Sequence, residues 1–480
     1  MLIIQNGYEC NYELTLFYKL FFDKDEDITV CSNFEYKNNL INVYTEIVYE
    51  DRVYIEDYYF PFDINNKSDK LIKKIFTASC TKSFCHAAKK IKNINLPWGV
   101  MCGIRPAKNV RELFEEGYSD EEITKIFKIV YEVSDEKTEL AKTVAENEKL
   151  LLSQIGKNSV SIYIGIPFCP TRCLYCSFVS TDVRVSGKYM NEFVDKLLIE
   201  IDKTAEIINK LGMYVENIYI GGGTPTTLLA EHLTKIFKSL KNNFDFSKIK
   251  EFTLEAGRVD TITEEKLITA KMGGVNRISI NPQTMNNITL KKVGRAHDDK
   301  MIRDCYKIAR KIGFNINMDL IAGLPDETVD MFKYSLDEVI KLNPENITVH
   351  SMCVKRAANL RFSDIELTEA ENMNEMLSYA QKRMKENNMI PYYMYRQKNI
   401  SGNLENVGYA KRGTMSAYNI NIMEEKQTII ALGGGGSTKI VMGDRIERIF
   451  NFKDPLEYIR RFDEILEKKD EIIEILSGVK

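Results

Sequence analysis

Between residues 161 and 350, short β-like runs alternate with amphipathic helical stretches, and this rhythm limits the fold more than any other feature. The runs span 161–166, 217–220, 251–254, 276–280, 315–321 and 346–350. Helical periodicity marks 188–211, 264–271, 300–311 and 329–341 between them. Strand–helix units in series specify a parallel sheet covered by helices. Eight such units close a TIM barrel. Six predict an α/β fold with a partial (β/α)6 TIM-like barrel, its ligands at the C-terminal ends of the strands.

The flanking segments read differently. Residues 42–62 are rich in Tyr, Val and Ile and alternate around Glu50-Asp51-Arg52, which predicts a β-hairpin. Helical patterns follow over 69–92 and 112–152. We therefore expect an α+β N-terminal domain over 1–155, the barrel core over 156–365 and a small C-terminal accessory or cap domain over 366–480. No catalytic motif lies in the N-terminal domain. The C-terminal segment carries a helical stretch at 370–387, a Tyr-rich run at 391–396 and four glycines at 433–436. No Gly-Lys-Ser/Thr follows those glycines, so they predict a turn opening onto the active site rather than a phosphate loop.

Composition narrows the function. The 480 residues carry 66 basic and 69 acidic side chains, a net charge of -3. That balance gives no reason to expect nucleic acid or an anionic membrane as partner. No apolar run approaches the ~18 residues of a membrane span, and the first residues lack a basic n-region, so no membrane insertion and a cytoplasmic location are expected. Ten cysteines in such a chain read as thiols or metal ligands, and four histidines argue against a multi-histidine metal site. Cys80, Cys85 and His86 fall on a helical stretch and read as structural.

Cys169, Cys173 and Cys176 form a C-x3-C-x2-C triplet just after the first run of the series. Three thiolates from one loop can hold a [4Fe–4S] cluster and leave one iron open for chemistry. A zinc site borrowing a distant ligand and a set of buried thiols are the alternatives.

The triplet, with an aromatic before its third cysteine, resembles the signature of radical S-adenosylmethionine (SAM) enzymes. Tyr163-Ile-Gly-Ile-Pro-Phe-Cys169 resembles the Y-x-H-I-P-F-C opening of the oxygen-independent coproporphyrinogen III oxidase family. In order follow Gly221-Gly-Gly-Thr-Pro-Thr226, Glu255, Gln283, Gly294-Arg-Ala-His297 and Asp319-Leu-Ile-Ala-Gly-Leu-Pro325. Ile104-Arg-Pro-Ala-Lys108 and the run 392–410 are similar to the subgroup called coproporphyrinogen dehydrogenase HemZ.

The resemblance implies a [4Fe–4S] cluster on Cys169, Cys173 and Cys176, and SAM bound by Gly222, Gly223, Thr224, Glu255, Gln283, Arg295 and Asp319. Glu255 suits the SAM ammonium, Arg295 its carboxylate, and Gln283 and Asp319 the ribose hydroxyls. Backbone N–H and C=O groups of the triple glycine suit the methionine part. Tyr163 and Tyr175 are packing partners of cluster and cofactor, and Cys353 is an adenine contact. The implied reaction is hydrogen abstraction from a propionate of coproporphyrinogen III by a SAM-derived radical, with loss of carbon dioxide and an electron to leave a vinyl group, giving protoporphyrinogen IX after two rounds. A tetrapyrrole substrate and a ferredoxin or flavodoxin donor follow from it. A haem-binding chaperone using His297 or His350 as axial ligand, and radical chemistry on another tetrapyrrole, are the rivals. Two positions depart from the family pattern: Gly165 stands where it has histidine, and Phe178 where its oxidases have a further cysteine.

Overall fold

The protein is described from a computed structural model. It describes residues 2–23, 26–176, 180–353, 368–397, 403–443 and 445–478. Phe178 and part of the 392–410 run lie outside them. The chain gathers into two compact units. One comprises Met1–Thr143, Glu369–Glu371 and Arg396–Glu405, the other Val144–Thr368, Asn372–Tyr395 and Asn406–Lys480. The division falls inside a continuous helix, Asp135–Leu152, rather than in a linker near 155.

The first unit is built on a four-stranded sheet in the order β1 (Leu2–Asn6), β2 (Ile28–Lys37), β3 (Leu40–Tyr49) and β4 (Arg52–Pro61). The predicted hairpin is β3–β4, and its turn residues Glu50 and Asp51 both have positive φ (49° and 59°). Two such residues in a two-residue loop match the twist of the flanking strands. Alternate residues Ile41, Val43, Thr45 and Ile47 are fully buried. The helix Asp69–Lys89 covers this face, and its Ser83 hydroxyl donates to Thr45 Oγ1 (2.7 Å). Cys80 and Cys85 are buried on the same helix, while His86 is held between Glu56 (3.2 Å) and Glu132 (2.9 Å).

The second unit carries β5 (Ser159–Ile166), the short pair β6 (Phe168–Cys169) and β7 (Thr181–Asp182), β8 (Tyr214–Gly222), β9 (Glu251–Glu255), β10 (Arg277–Ser279), β11 (Asn315–Ala322) and β12 (Asn346–Ser351). β5, β8, β9, β10, β11 and β12 are parallel neighbours in chain order, the six expected strands. The sheet continues at both edges. β14 (Glu405–Ala410), beside β13 (Ile390–Arg396), runs antiparallel to β12. β15 (Ile429–Gly433) runs parallel to β5 and is followed by the antiparallel β16 (Ser437–Met442) and β17 (Arg445–Phe450). The residues expected to form an accessory domain thus supply a seventh parallel strand to the core sheet.

Alternation along the strands sorts two faces. Ile162, Ile164, Ile218, Ile220, Leu254 and Ile316 have no exposed surface. The opposite positions are polar or aromatic: Ser161, Tyr163, Asn217, Tyr219, Thr253 and Glu255. Three helices of the series, Glu264–Met272, Asp299–Ile312 and Val329–Leu342, start on side-chain caps. Thr263 accepts from Lys266 N (3.2 Å), Asp298 from Met301 N (2.8 Å) and Thr328 from Met331 N (3.3 Å). Each cap satisfies an amide the helix leaves open, so the chain re-enters the sheet at defined points.

Candidate active site

The motif residues gather beyond the C-terminal ends of the parallel strands. Cys169 ends β6, and Cys173 and Cys176 follow on one loop closed by Cys176 N donating to Cys173 O (3.1 Å). Cys169 and Cys173 are buried and Cys176 is half-buried. Burial pushes the Cys169 thiol up, against hydrogen bonds with Ser180 and Thr224 and a smaller pull from the Arg258 guanidinium. Among the described residues no three His, Cys, Asp or Glu side chains crowd together tightly enough to hold a single metal ion. A cubane asks for something looser, because each ligated iron takes its own thiolate.

The triple glycine packs against this loop. Gly222 has φ +106°, and a Cβ there would stand 3.0 Å from both Ile166 N and O. A Cβ on Gly223 would stand 2.7 Å from Phe168 O and 3.1 Å from Cys169 Sγ. Gly223 N donates to Ile166 O (2.7 Å) and Thr224 N to Phe168 O (2.8 Å). Those two amides brace the strand that leads into the cysteine loop. Thr224 Oγ1 lies 3.3 Å from Cys169 Sγ.

Arg295 reaches the same loop. Its Nε donates to Tyr175 Oη (3.0 Å), and its Nη1 to Asn281 O (2.6 Å) and Gly257 O (3.1 Å). Glu255 ends β9 and accepts from Tyr219 Oη (2.5 Å). Burial, reinforced by the Asp319 carboxylate, pushes Glu255 up to about 7 against the pull of that hydrogen bond. Gln283 takes φ +67°, pinned by its N to Asp319 O (2.9 Å) and its O from Ile321 N (3.0 Å). Its side-chain oxygen, like that of Asn281, is buried without a hydrogen-bond partner among the described residues. Asp319 accepts from Asn317 Nδ2 (2.7 Å) and lies 3.7 Å from His350 Nε2. Cys353 lies just past β12 and is half-buried.

Tyr163 belongs to a cluster of tyrosines. It stacks with Tyr219 (6.2 Å between ring centres) and Tyr418 (6.5 Å), and Tyr219 stacks on Tyr418 (4.4 Å). It reaches the site through the Tyr219–Glu255 bond. Strand alternation marks Tyr219 as sharing a face with Tyr163, a signal available in the sequence. Arg258 was also missed: it follows Glu255 by three residues in a strand-end loop, and its Nη1 lies 3.4 Å from Cys173 Sγ. Gly165 leaves no room for the family's histidine, since a Cβ there would stand 2.4 Å from Gly434 O. The 433–436 turn occupies that space.

The donor set fits the expected cofactors. Three thiols share one loop, two buried arginines supply positive charge beside it, and the side-chain oxygens of Asn281 and Gln283, unpartnered among the described residues, stand just past β10. This fold and site define a radical SAM protein, and residues 163–339 match the Radical SAM superfamily. Its cofactors are a [4Fe–4S] cluster and SAM. The chain is 41% identical over 389 residues to the oxygen-independent coproporphyrinogen-III oxidase-like protein HemZ of Bacillus subtilis, covering 79% of this chain and 78% of that protein. It belongs to that family. It is also 32% identical over 278 residues to the heme chaperone HemW of Bacillus subtilis, covering 56% of this chain and 68% of HemW. The coproporphyrinogen III oxidase HemN of Escherichia coli shares the fold, with a TM-score of 0.52 at 23% identity over 67% of this chain and 72% of HemN. Among the described residues no helix is long and apolar enough to cross a membrane.

Proposed function

We propose that this chain is a cytoplasmic radical SAM oxidoreductase that decarboxylates the propionates of coproporphyrinogen III to vinyl groups, giving protoporphyrinogen IX. The observation that carries the reading is the triple-cysteine loop beside Glu255 at the end of β9 and Gln283 and Arg295 in the segment after β10, in a chain so similar to HemZ. When bound, the cluster and SAM supply one-electron reduction and a carbon-centred abstractor of hydrogen. Cys169, Cys173 and Cys176 hold the cluster. Glu255 takes the SAM ammonium, and the free side-chain oxygen of Gln283 accepts a ribose hydroxyl. Two of the three Arg295 nitrogens hold protein acceptors, so the third is the one we assign to the SAM carboxylate. Gly222, Gly223 and Thr224 shape the wall between the cysteine loop and SAM. Tyr175 orients Arg295, Tyr163 backs the Tyr219–Glu255 pair, and Asp319 and Cys353 line the ribose and adenine side. A ferredoxin or flavodoxin supplies the electron that opens each round, SAM takes the hydrogen atom as 5′-deoxyadenosine, and the substrate radical gives up one electron to an electron acceptor as carbon dioxide leaves.

The test is anaerobic. Reconstituted protein, dithionite, SAM and coproporphyrinogen III are expected to yield tri- and dicarboxylic porphyrins with 5′-deoxyadenosine, read by mass spectrometry. Deoxyadenosine without decarboxylation would move the substrate to haem or another tetrapyrrole.

The Glu255 assignment predicts a pH dependence. A carboxyl that ionises only near pH 7 must lose its proton before it can pair with an ammonium. SAM affinity, measured by calorimetry on cluster-loaded protein, should fall toward tenfold per pH unit below 7. Glu255→Gln should bind weakly and flatten that slope; an unchanged slope would remove Glu255 from the SAM site.

The likeness to HemW favours one second reading, a haem chaperone. His297 is a poor axial ligand, because both its ring nitrogens are buried. His350 is half-buried at a strand end, with Tyr395 Oη 3.4 Å from its Nδ1. In that reading haem binding is lost in His350→Ala and kept in His297→Ala.

A further inference from the structure

Arg258 is 3% exposed, and each of its nitrogens has a partner. Nε and Nη2 clasp Asp260 Oδ1 and Oδ2 (2.9 and 2.7 Å). Nη1 donates to Thr171 Oγ1 (2.9 Å) and Thr171 O (3.2 Å) and points at Cys173 Sγ, 3.4 Å away. The platform beneath it is rigid. Thr261 Oγ1 donates to Arg258 O (2.7 Å) and lies 2.7 Å from Thr226 Oγ1, which ties the arginine to the turn after the triple glycine.

A buried guanidinium is costly to desolvate unless paired, and Asp260 supplies the pairing. A loop staple needs only the Thr171 contacts. Nη1 has two hydrogens for its three acceptors, so one is shared with the cysteine sulfur, and that contact has a different consequence. Adding an electron to an iron–sulfur cluster adds negative charge, part of which resides on the ligating sulfurs. A fixed cationic donor at one sulfur stabilises the reduced form more than the oxidised form, so it raises the reduction potential. Asp260 lies on the far side of the guanidinium and offsets part of that charge.

We propose that Arg258 is a positioning residue that sets the reduction potential of the cluster, with Asp260 as its counterweight. The inference rests on the assignment of Cys169, Cys173 and Cys176 as ligands. The step concerned is uptake of one electron from a low-potential one-electron donor, with no proton and no bond made or broken.

The experiment is a mediated redox titration of the reconstituted full-length protein followed by electron paramagnetic resonance, with iron and sulfide assayed alongside. Arg258→Gln is expected to keep its iron while its midpoint becomes more negative by a tenfold change in the reduction equilibrium, about 59 mV for one electron. Arg258→Lys should fall between it and the parent. Asp260→Asn should move the midpoint the other way, upward, which a merely structural role does not predict. A parent-like midpoint in iron-replete Arg258→Gln overturns the proposal. If Arg258→Gln cannot hold iron, Asp260→Asn decides: a rise supports the proposal and an unmoved midpoint overturns it. A parent protein that shows no [4Fe–4S] signal would instead overturn the ligand assignment.

Discussion

Replacing Glu200 with leucine will destabilise the second unit by about 3–5 kcal/mol, because it strands a buried lysine without its countercharge. Glu200 is fully buried on the helix Met190–Lys210. It accepts from Gly433 N (2.8 Å), Tyr458 Oη (2.7 Å), Asn451 Nδ2 (2.7 Å) and Lys469 Nζ (3.0 Å). Lys469 is 2% exposed and otherwise donates to Ala431 O. Both partners are expendable only together. Glu200→Leu with Lys469→Met should therefore recover much of the stability lost in the single variant, as read by urea unfolding. If the single variant were as stable as the parent, the carboxylate would not be what joins this helix to the C-terminal strands. The loss should also reach the cysteine loop, since Glu200 holds Gly433, and Gly434 N donates to Gly165 O (2.9 Å).

The second large effect is expected at Gly165. Introducing the family's histidine there drives a Cβ to 2.4 Å from Gly434 O, a backbone atom. Its neighbour Gly433 has φ +76°, and a Cβ on Gly434 would meet Pro167 Cγ at 2.7 Å, so the turn has little freedom to retreat. Overpacking of this kind costs about 3 kcal/mol. Gly165→Ala and Gly165→His should both lower the thermal midpoint and the iron retained after reconstitution. Retention of parent-like stability in Gly165→His would show that the 433–436 turn can move aside.

The six-strand core was legible because each strand is a local run and each helix a local period. The sequence reading 251–254 and the strand Glu251–Glu255 differ by one residue. β15 was not legible in the same way. Ile429–Gly433 pairs in parallel with β5, whose residues lie far away in the chain, and nothing in a five-residue apolar run names its partner. The site shows the same division. Cys169, Glu255, Gln283, Arg295 and Asp319 stand in motifs and cluster at strand ends. Arg258 has no motif, and only the folded loop reveals that it reaches Cys173. Nor does the triple glycine name in sequence the Ile166 and Phe168 backbone that Gly222 and Gly223 approach. Gly165 stands out in the sequence as a departure from the family pattern, and only the fold shows that volume is at stake there.

The position of β15 bears on how the protein is made. A ribosome releases the cysteine loop and the whole of β5 long before it releases Ile429–Gly433. Until then the β5 edge has no neighbour on that side, and such an edge is open to pairing with other nascent chains. Gly165 also lacks the turn that backs it. By the same logic a transcript broken upstream of β15 yields no smaller working enzyme, only a sheet with an unguarded side.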